Sequence, residues 1–249
     1  MLARACLVLA LLCVATTRGA AAQTPVDLQL ILAVDVSSSV DYKEFNLEID
    51  GYVQAFRDPR VVKAIQAGPL GRIAVAMVQW SGQYQQKVAI DWLEVSSTAT
   101  AERLATAIFE SPRLMEGATA LGEAVMFSLP LFDQGPFRGR RLAIDVSGDG
   151  MSNEGRPASV GRDEAAKRGV TINGLAIVNE EPFLEEHYRH FLITGPAAFV
   201  VVAKNFNDFA DAILSKLIRE ITGELLSDAD LPYPTVRNFS AGGTQIAGP

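Results

Sequence analysis

An almost unbroken apolar run, LQLILAV, ends abruptly in Asp35-Val36-Ser37-Ser38-Ser39, one carboxylate followed by three hydroxyls. In an extended chain alternate side chains face the same way, so residues 35, 37 and 39 converge on one spot. Carboxylate and hydroxyl oxygens are hard donors, suited to Mg2+, Mn2+ or Ca2+ and not to the softer metals that prefer Cys and His. Two other stretches offer the same chemistry. MEGATALGEA puts Thr119 at a predicted helix start behind a glycine-containing turn, and AIDVSGDGMSNEG ends a predicted strand on Asp149 between Gly148 and Gly150. Those glycines allow close approach of the backbone. If the three loops meet, Asp35, Ser37, Ser39, Thr119 and Asp149 surround one cation.

Each residue also has an ordinary role open to it. Asp35, Ser37 and Ser39 could cap the helix that follows, Thr119 could be an N-cap, and Asp149 a turn residue in SGDG. Asp145 points to the same side as Asp149, either as a partner behind the site or as a satisfied polar residue, and is not counted among the ligands. His187 and His190, in HYRH beside Glu185 and Glu186, lack a third zinc ligand at any recognisable spacing and read as a solvated acidic helix face. Trp80 and Trp92 read as hairpin core, and NFS at Asn238 as a glycosylation pattern without consequence.

The elements that must position these groups alternate between strand and helix periodicity. VDLQLILAVDV reads as a strand buried on both faces, and DYKEFNLEIDGYVQAF as a helix with Phe45, Ile49, Tyr52, Val53 and Phe56 on one face. Asp41 with Glu44 three residues on forms a capping pair at its start. RIAVAMVQWSG and QQKVAIDWLEV are strands close enough to pair as an antiparallel hairpin through SGQYQ. TAERLATAIFES, TALGEAVMFSL, PASVGRDEAAKRG and EPFLEEHYRHFL are helical; RRLAIDVS, VTINGLAIV and AFVVVA are strands. DFADAILSKLIREI closes the pattern as an amphipathic helix with Phe209, Ile213, Leu217 and Ile221 on one stripe. Strands alternating with helices predict an α/β domain: a doubly wound, mostly parallel sheet of about six strands, one antiparallel edge strand, and helices on both faces. One domain spans residues 23–223, and from Gly223 the pattern decays into a poorly ordered tail, residues 224–249.

Arg4, the apolar run from Ala5 to Ala15, and Ala20, Ala21 and Ala22 form the pattern of a secretory signal peptide over residues 1–22. That run is about half of the roughly 20 residues needed to span a bilayer, and no later charge-free stretch is longer, so no transmembrane segment is expected. Leu12 is too large for a lipid-anchor site at Cys13. Cys6 and Cys13 both lie in the leader, which leaves the exported chain without a disulfide and dependent on its core. The whole chain has 22 basic and 29 acidic residues; without Arg4 and Arg18 it keeps 20 against 29, a net charge of −9. That balance, with no basic patch, argues against a nucleic-acid partner and suits a periplasmic or secreted protein.

With DVSSS, GAT and GDG in this order, the sequence resembles the von Willebrand factor type A family. Its metal-ion-dependent adhesion site is written D-x-S-x-S, then Thr in a later loop, then Asp after a further strand. The resemblance covers roughly Val26 to Gly223. VDVSSSVD, FRDPRVV, GPLGRIAV and DVSGDG look more narrowly like an uncharacterised group of exported bacterial proteins with this domain. It implies a Mg2+ site, with Mn2+ or Ca2+ as substitutes, made by Asp35, Ser37, Ser39, Thr119 and Asp149. It also implies a protein partner whose Asp or Glu completes the metal shell, and a last helix that sometimes shifts on binding. One departure stands out: many type A domains have Thr or Ser before the last Asp, and this chain has Gly148, for which Ser147 could compensate or leave a contact missing. Two rival functions are a metal-dependent hydrolase or phosphatase with Asp35 as nucleophile, and a scaffold with an empty site. The hydrolase lacks a Lys, His or second acid beside DVSSS, a phosphate-cradling glycine loop and a GxSxG elbow.

Overall fold

The computed structural model describes residues 23–223; the expected leader and tail lie outside the described residues. Strand β1 (Thr24–Asp35) is buried without a break from Val26 to Asp35, as a central strand covered on both faces must be. Its even positions Leu28, Leu30, Leu32 and Val34 face one core and its odd positions Ile31 and Ala33 the other. Asp35, the next odd residue, therefore leaves the sheet toward the second layer, at the carboxyl rim.

The chain continues through α1 (Tyr42–Arg57), α2 (Pro59–Gln66), β2 (Ile73–Trp80), β3 (Gln86–Val95), α3 (Thr98–Phe109), α4 (Leu121–Ser128) and the short α5 (Leu131–Gln134). It ends with β4 (Phe137–Gly148), α6 (Ala158–Lys167), β5 (Thr171–Ile177), α7 (Leu184–His187), a π-helical turn Tyr188–Leu192, β6 (Val200–Ala203) and α8 (Phe209–Thr222). The sheet order is β3-β2-β1-β4-β5-β6. All pairs are parallel except β2 with β3, the expected hairpin, which leaves β3 as an antiparallel edge. Trp80 and Trp92 are buried in it, and the Trp92 indole N–H donates to Leu131 O at 3.1 Å.

Helices α1, α2, α3 and α8 pack on one face around Tyr52, Phe56, Leu104 and Phe209. Residues from α4, α6, α7 and the π-helical turn cover the other, with Val125, Ala165, Leu184 and Tyr188 in that core. Connections leave β1 and return on opposite sides, so the order reverses beside β1 and β4. In open sheets of this kind a crevice forms outside the strand ends at such a reversal.

Beyond shifts of a few residues at element ends, two segments differ from the sequence reading, which named no helix between Phe56 and the strand at Ile73. Asp58, held extended (ψ 127) ahead of Pro59, ends α1, and Pro59 opens a separate helix, because the residue before proline is pushed out of the helical region. The expected helix from Glu181 to Leu192 shortens to α7 and then widens into the π-helical turn, where Ile193 N–H reaches back to Tyr188 O at 3.0 Å. The capping pair forms as expected: Glu44 N–H donates to Asp41 Oδ1 at 2.8 Å and Asp41 N–H to Glu44 Oε2 at 2.9 Å. That fixes where α1 begins and so how far the Asp35–Ser39 loop can move.

Candidate metal centre

The three loops named from sequence meet at the carboxyl rim. Asp35 turns the chain by accepting the Ser37 N–H on Oδ1 at 2.7 Å. The Ser37 and Ser39 hydroxyl oxygens lie 3.1 Å apart, and the Ser39 hydroxyl donates to Asp149 Oδ1 at 2.7 Å. Thus the end of β1 and the residue following β4 are joined through one serine.

Thr119 is brought in by backbone. Ser38 N–H donates to Gly117 O at 2.8 Å, and Ala120 N–H to Ser81 O at 2.8 Å. Thr119 N–H donates to Asn153 Oδ1 at 2.9 Å, while Thr119 O accepts Asn153 N–H at 2.9 Å. A Cβ placed on Gly150 would sit 3.5 Å from Thr119 Oγ1, so this hydroxyl lies beside the residue after Asp149. Asp35, Ser37, Ser39 and Asp149 are thus linked directly, and Thr119 lies next to them beside Gly150. Asp35, Ser37, Thr119 and Asp149 are buried, whereas Ser39 is exposed and marks its open side.

The cluster is short of positive charge. Asp35 has no exposed surface, and burial pushes its carboxyl up to about 8, with the neighbouring Asp149 adding to the rise. The Ser37 hydrogen bonds and the Arg113 guanidinium pull the other way; Arg113 donates to Val36 O at 3.0 Å and Ser37 O at 2.9 Å. Burial also raises Asp149, against the Ser39 bond. Asp35 Oδ2 and Asp149 Oδ2 are buried with no hydrogen-bond partner among the described residues. A buried carboxylate oxygen with neither a donor nor a cation is costly, and these two border hydroxyls that are themselves oxygen donors to a metal. The residues present fit a small hard cation.

Two polar networks close behind the cluster. Ser147 donates to Glu48 Oε1 at 2.5 Å and lies 3.2 Å from the Tyr52 hydroxyl, so its side chain is committed to α1. It does not replace a hydroxyl missing at Gly148. Burial holds Glu48 well above the usual carboxylate range, and Asp35, Asp149 and Asp145 push in the same direction. Further in, Lys216 Nζ pairs with Asp145 Oδ1 and lies 3.2 Å from Glu220 Oε2, while Asn173 donates to Glu220 Oε1 at 3.0 Å. Asp145 is thus ion-paired within the core through Oδ1, while its Oδ2 has no partner among the described residues. His187 stacks near Phe191, and an His190 ring nitrogen lies 2.7 Å from Glu186 O.

Comparison with known proteins gives one family and one fold. A family model described as protein of unknown function (DUF1194) matches residues 25–225. No curated protein matches the sequence. Among solved structures, proximal thread matrix protein 1 from the mussel byssus is similar at 18% identity over 80% of this chain and 48% of that one, with a TM-score of 0.58. The same mussel protein has been solved with a zinc-occupied MIDAS motif, similar at a TM-score of 0.54. A von Willebrand factor type A protein from Catenulispora acidiphila follows at 16% identity, 79% and 43% coverage and a TM-score of 0.55. The pilus adhesin SpaC from Lactobacillus rhamnosus GG is similar at 12% identity, 79% and 30% coverage and a TM-score of 0.55. The chain spans less than half the length of each of these proteins, and at these identities the likeness is one of fold.

Proposed function

We propose, for a chain that belongs to the DUF1194 family of proteins of unknown function and has the von Willebrand type A fold, that it is an exported binding module. In this proposal the rim holds a divalent cation through Asp35, Ser37, Ser39, Thr119 and Asp149, and grips a protein partner through that cation. The observation that carries it is the pair of buried, unpartnered oxygens, Asp35 Oδ2 and Asp149 Oδ2, within one ring of hydroxyls. An all-oxygen set with two carboxylates favours Mg2+, with Mn2+ or Ca2+ as substitutes. The zinc-occupied MIDAS motif of the mussel protein supports a divalent ion in a fold of this kind.

When bound, such an ion supplies a Lewis-acidic position whose remaining ligands are exchangeable. This chain's residues do the rest. Asp35 and Asp149 lie below the surface and Ser39 at it, so the approach from solvent is on the Ser39 side, where an Asp or Glu of a partner can reach. A nucleophilic role for Asp35 is disfavoured, because its carboxyl has no exposed surface and one oxygen is already held by the Ser37 N–H. Export is supported by the leader pattern, and no helix among the described residues is long and apolar enough to cross a membrane.

Calorimetric titration of Mg2+ and Mn2+ into the purified chain tests this. One ion per chain is expected to bind, the heat is lost in Asp35→Ala, and phosphate and ester substrates are not turned over. Metal-dependent turnover would contradict a pure binding role, and the absence of any heat would leave the scaffold alternative.

A further inference from the structure

Gly148 is the departure from the type A pattern, and the structure shows what stands in its place. A Cβ placed on Gly148 would lie 2.8 Å from Asp35 Oδ2 and 2.8 Å from the Tyr188 hydroxyl oxygen. No side chain fits there while both groups hold their positions. Tyr188 enters from the π-helical turn and crosses β5 at Gly174, where a Cβ would come within 2.7 Å of Tyr188 Cδ2. In register Val146 faces Gly174 and Gly148 faces Ala176, so the two glycines lie diagonally on one face of adjacent strands. Together they form a trough along which a phenol reaches the point beside Gly148 that Asp35 also borders.

Packing alone does not explain the hydroxyl. Tyr188 has no exposed surface, and its oxygen, like Asp35 Oδ2, lacks a hydrogen-bond partner among the described residues. An unsatisfied buried hydroxyl is destabilising, and phenylalanine would fill the trough without that cost. Asp35 Oδ2 borders the same 2.8 Å point. A carboxylate oxygen has lone pairs enough for a cation and a phenol together.

Resting on the metal site proposed above, we infer that Tyr188 is a positioning residue of that site, its hydroxyl, which makes no hydrogen bond in this structure, turning to donate to the Asp35 carboxylate when a cation is bound. The carboxylate is thereby oriented toward the cation from the buried side, while Ser37 N–H holds its other oxygen. Partners of this kind, one shell behind a ligand, typically change metal affinity about 10–100-fold when removed.

The experiment is Mn2+ calorimetry on the full chain, wild type against Tyr188→Phe, with melting of each in chelator and in Mn2+. Tyr188→Phe should bind Mn2+ about tenfold or more weakly, yet melt in chelator no lower than wild type, since an unsatisfied hydroxyl has gone. Equal affinity would overturn the inference, as would an equal loss of melting temperature with and without Mn2+, which marks packing alone. Gly148→Ala gives a second route: its methyl takes the point both oxygens border and keeps them from meeting, so adding Tyr188→Phe to it should cost no further affinity. A further tenfold loss in that background would also overturn the inference. Wild-type protein that binds no Mn2+ would remove the metal site itself and Tyr188's role with it; wild-type binding with an unaffected Tyr188→Phe removes only the latter.

Discussion

Strand β4 carries one buried aspartate in its interior and delivers another at its end, and the two are treated differently. Asp145 and Glu220 share the ammonium of Lys216, and Asn173 donates to Glu220 and accepts Phe199 N–H at 2.9 Å, so this region contains its own cation. Asp149 and Asp35 meet only hydroxyls and a backbone N–H, and each keeps an unpartnered oxygen. Burial is nearly complete in both regions; what differs is where the positive charge comes from. A core that needs charge only for its fold can place a lysine there. A rim left without one must either stay protonated or take its charge from solution, and the second option makes a site.

The largest effect should come from breaking the self-contained region. Lys216→Met leaves Asp145 and Glu220 buried without their cation, and breaking such a pair costs about 3–5 kcal/mol. Urea unfolding at neutral pH in chelator should show it as a fall in midpoint, which shrinks as pH drops below about 7 and Asp145, raised to about 7 by burial, takes up a proton. A change below about 1 kcal/mol would mean that the lysine is not neutralising them.

A smaller effect sharpens the other side. In the folded chain Asp35 is raised to about 8, and Asp149 and Glu48 shift upward too. Between the ordinary carboxylate range and those values the folded state binds more protons than the unfolded one. The stability Asp35 contributes is therefore complete below about pH 4 and is lost as pH rises through about 8, and Asp149 and Glu48 act in the same direction. Melting in chelator should fall by several degrees from about pH 5 to about pH 8, and the slope should lessen in Asp35→Asn. A melting temperature that rises over this range would show that the rim carboxylates are compensated from within the chain.

Much of this comparison could be seen in the sequence, for reasons that differ by residue. DVSSS, Thr119 and Asp149 were legible because they interrupt strong periodicity at strand ends and helix starts, where side chains have few other duties. Phe45, Ile49, Tyr52 and Phe56 are all buried as their spacing requires. The same spacing placed Glu48 among them, and placed Lys216 beside Ile213 and Leu217, so two buried ionisable groups were available from a pattern read only for its apolar members. Tyr188 was not legible. Its segment, rich in Glu, Arg and His, reads as a solvated helix, and its meaning depends on Gly148 and Gly174, which come together only across the β4–β5 register. Arg113 lies in a stretch without periodicity, and its contacts with Val36 O and Ser37 O follow from loop packing alone.

The claim beneath all of this is that the rim carboxylates touch no cation of the chain's own, Arg113 being spent on the Val36 and Ser37 carbonyls, and take one from solution. Crystals grown or soaked with Mn2+, recorded at a wavelength where manganese scatters anomalously, test it most directly. The account predicts a single anomalous peak within bonding distance of oxygens from Asp35, the Ser37–Ser39 pair, Thr119 and Asp149. A rim with no peak at saturating Mn2+, or a peak elsewhere with Asp35 and Asp149 left as they are, would contradict it.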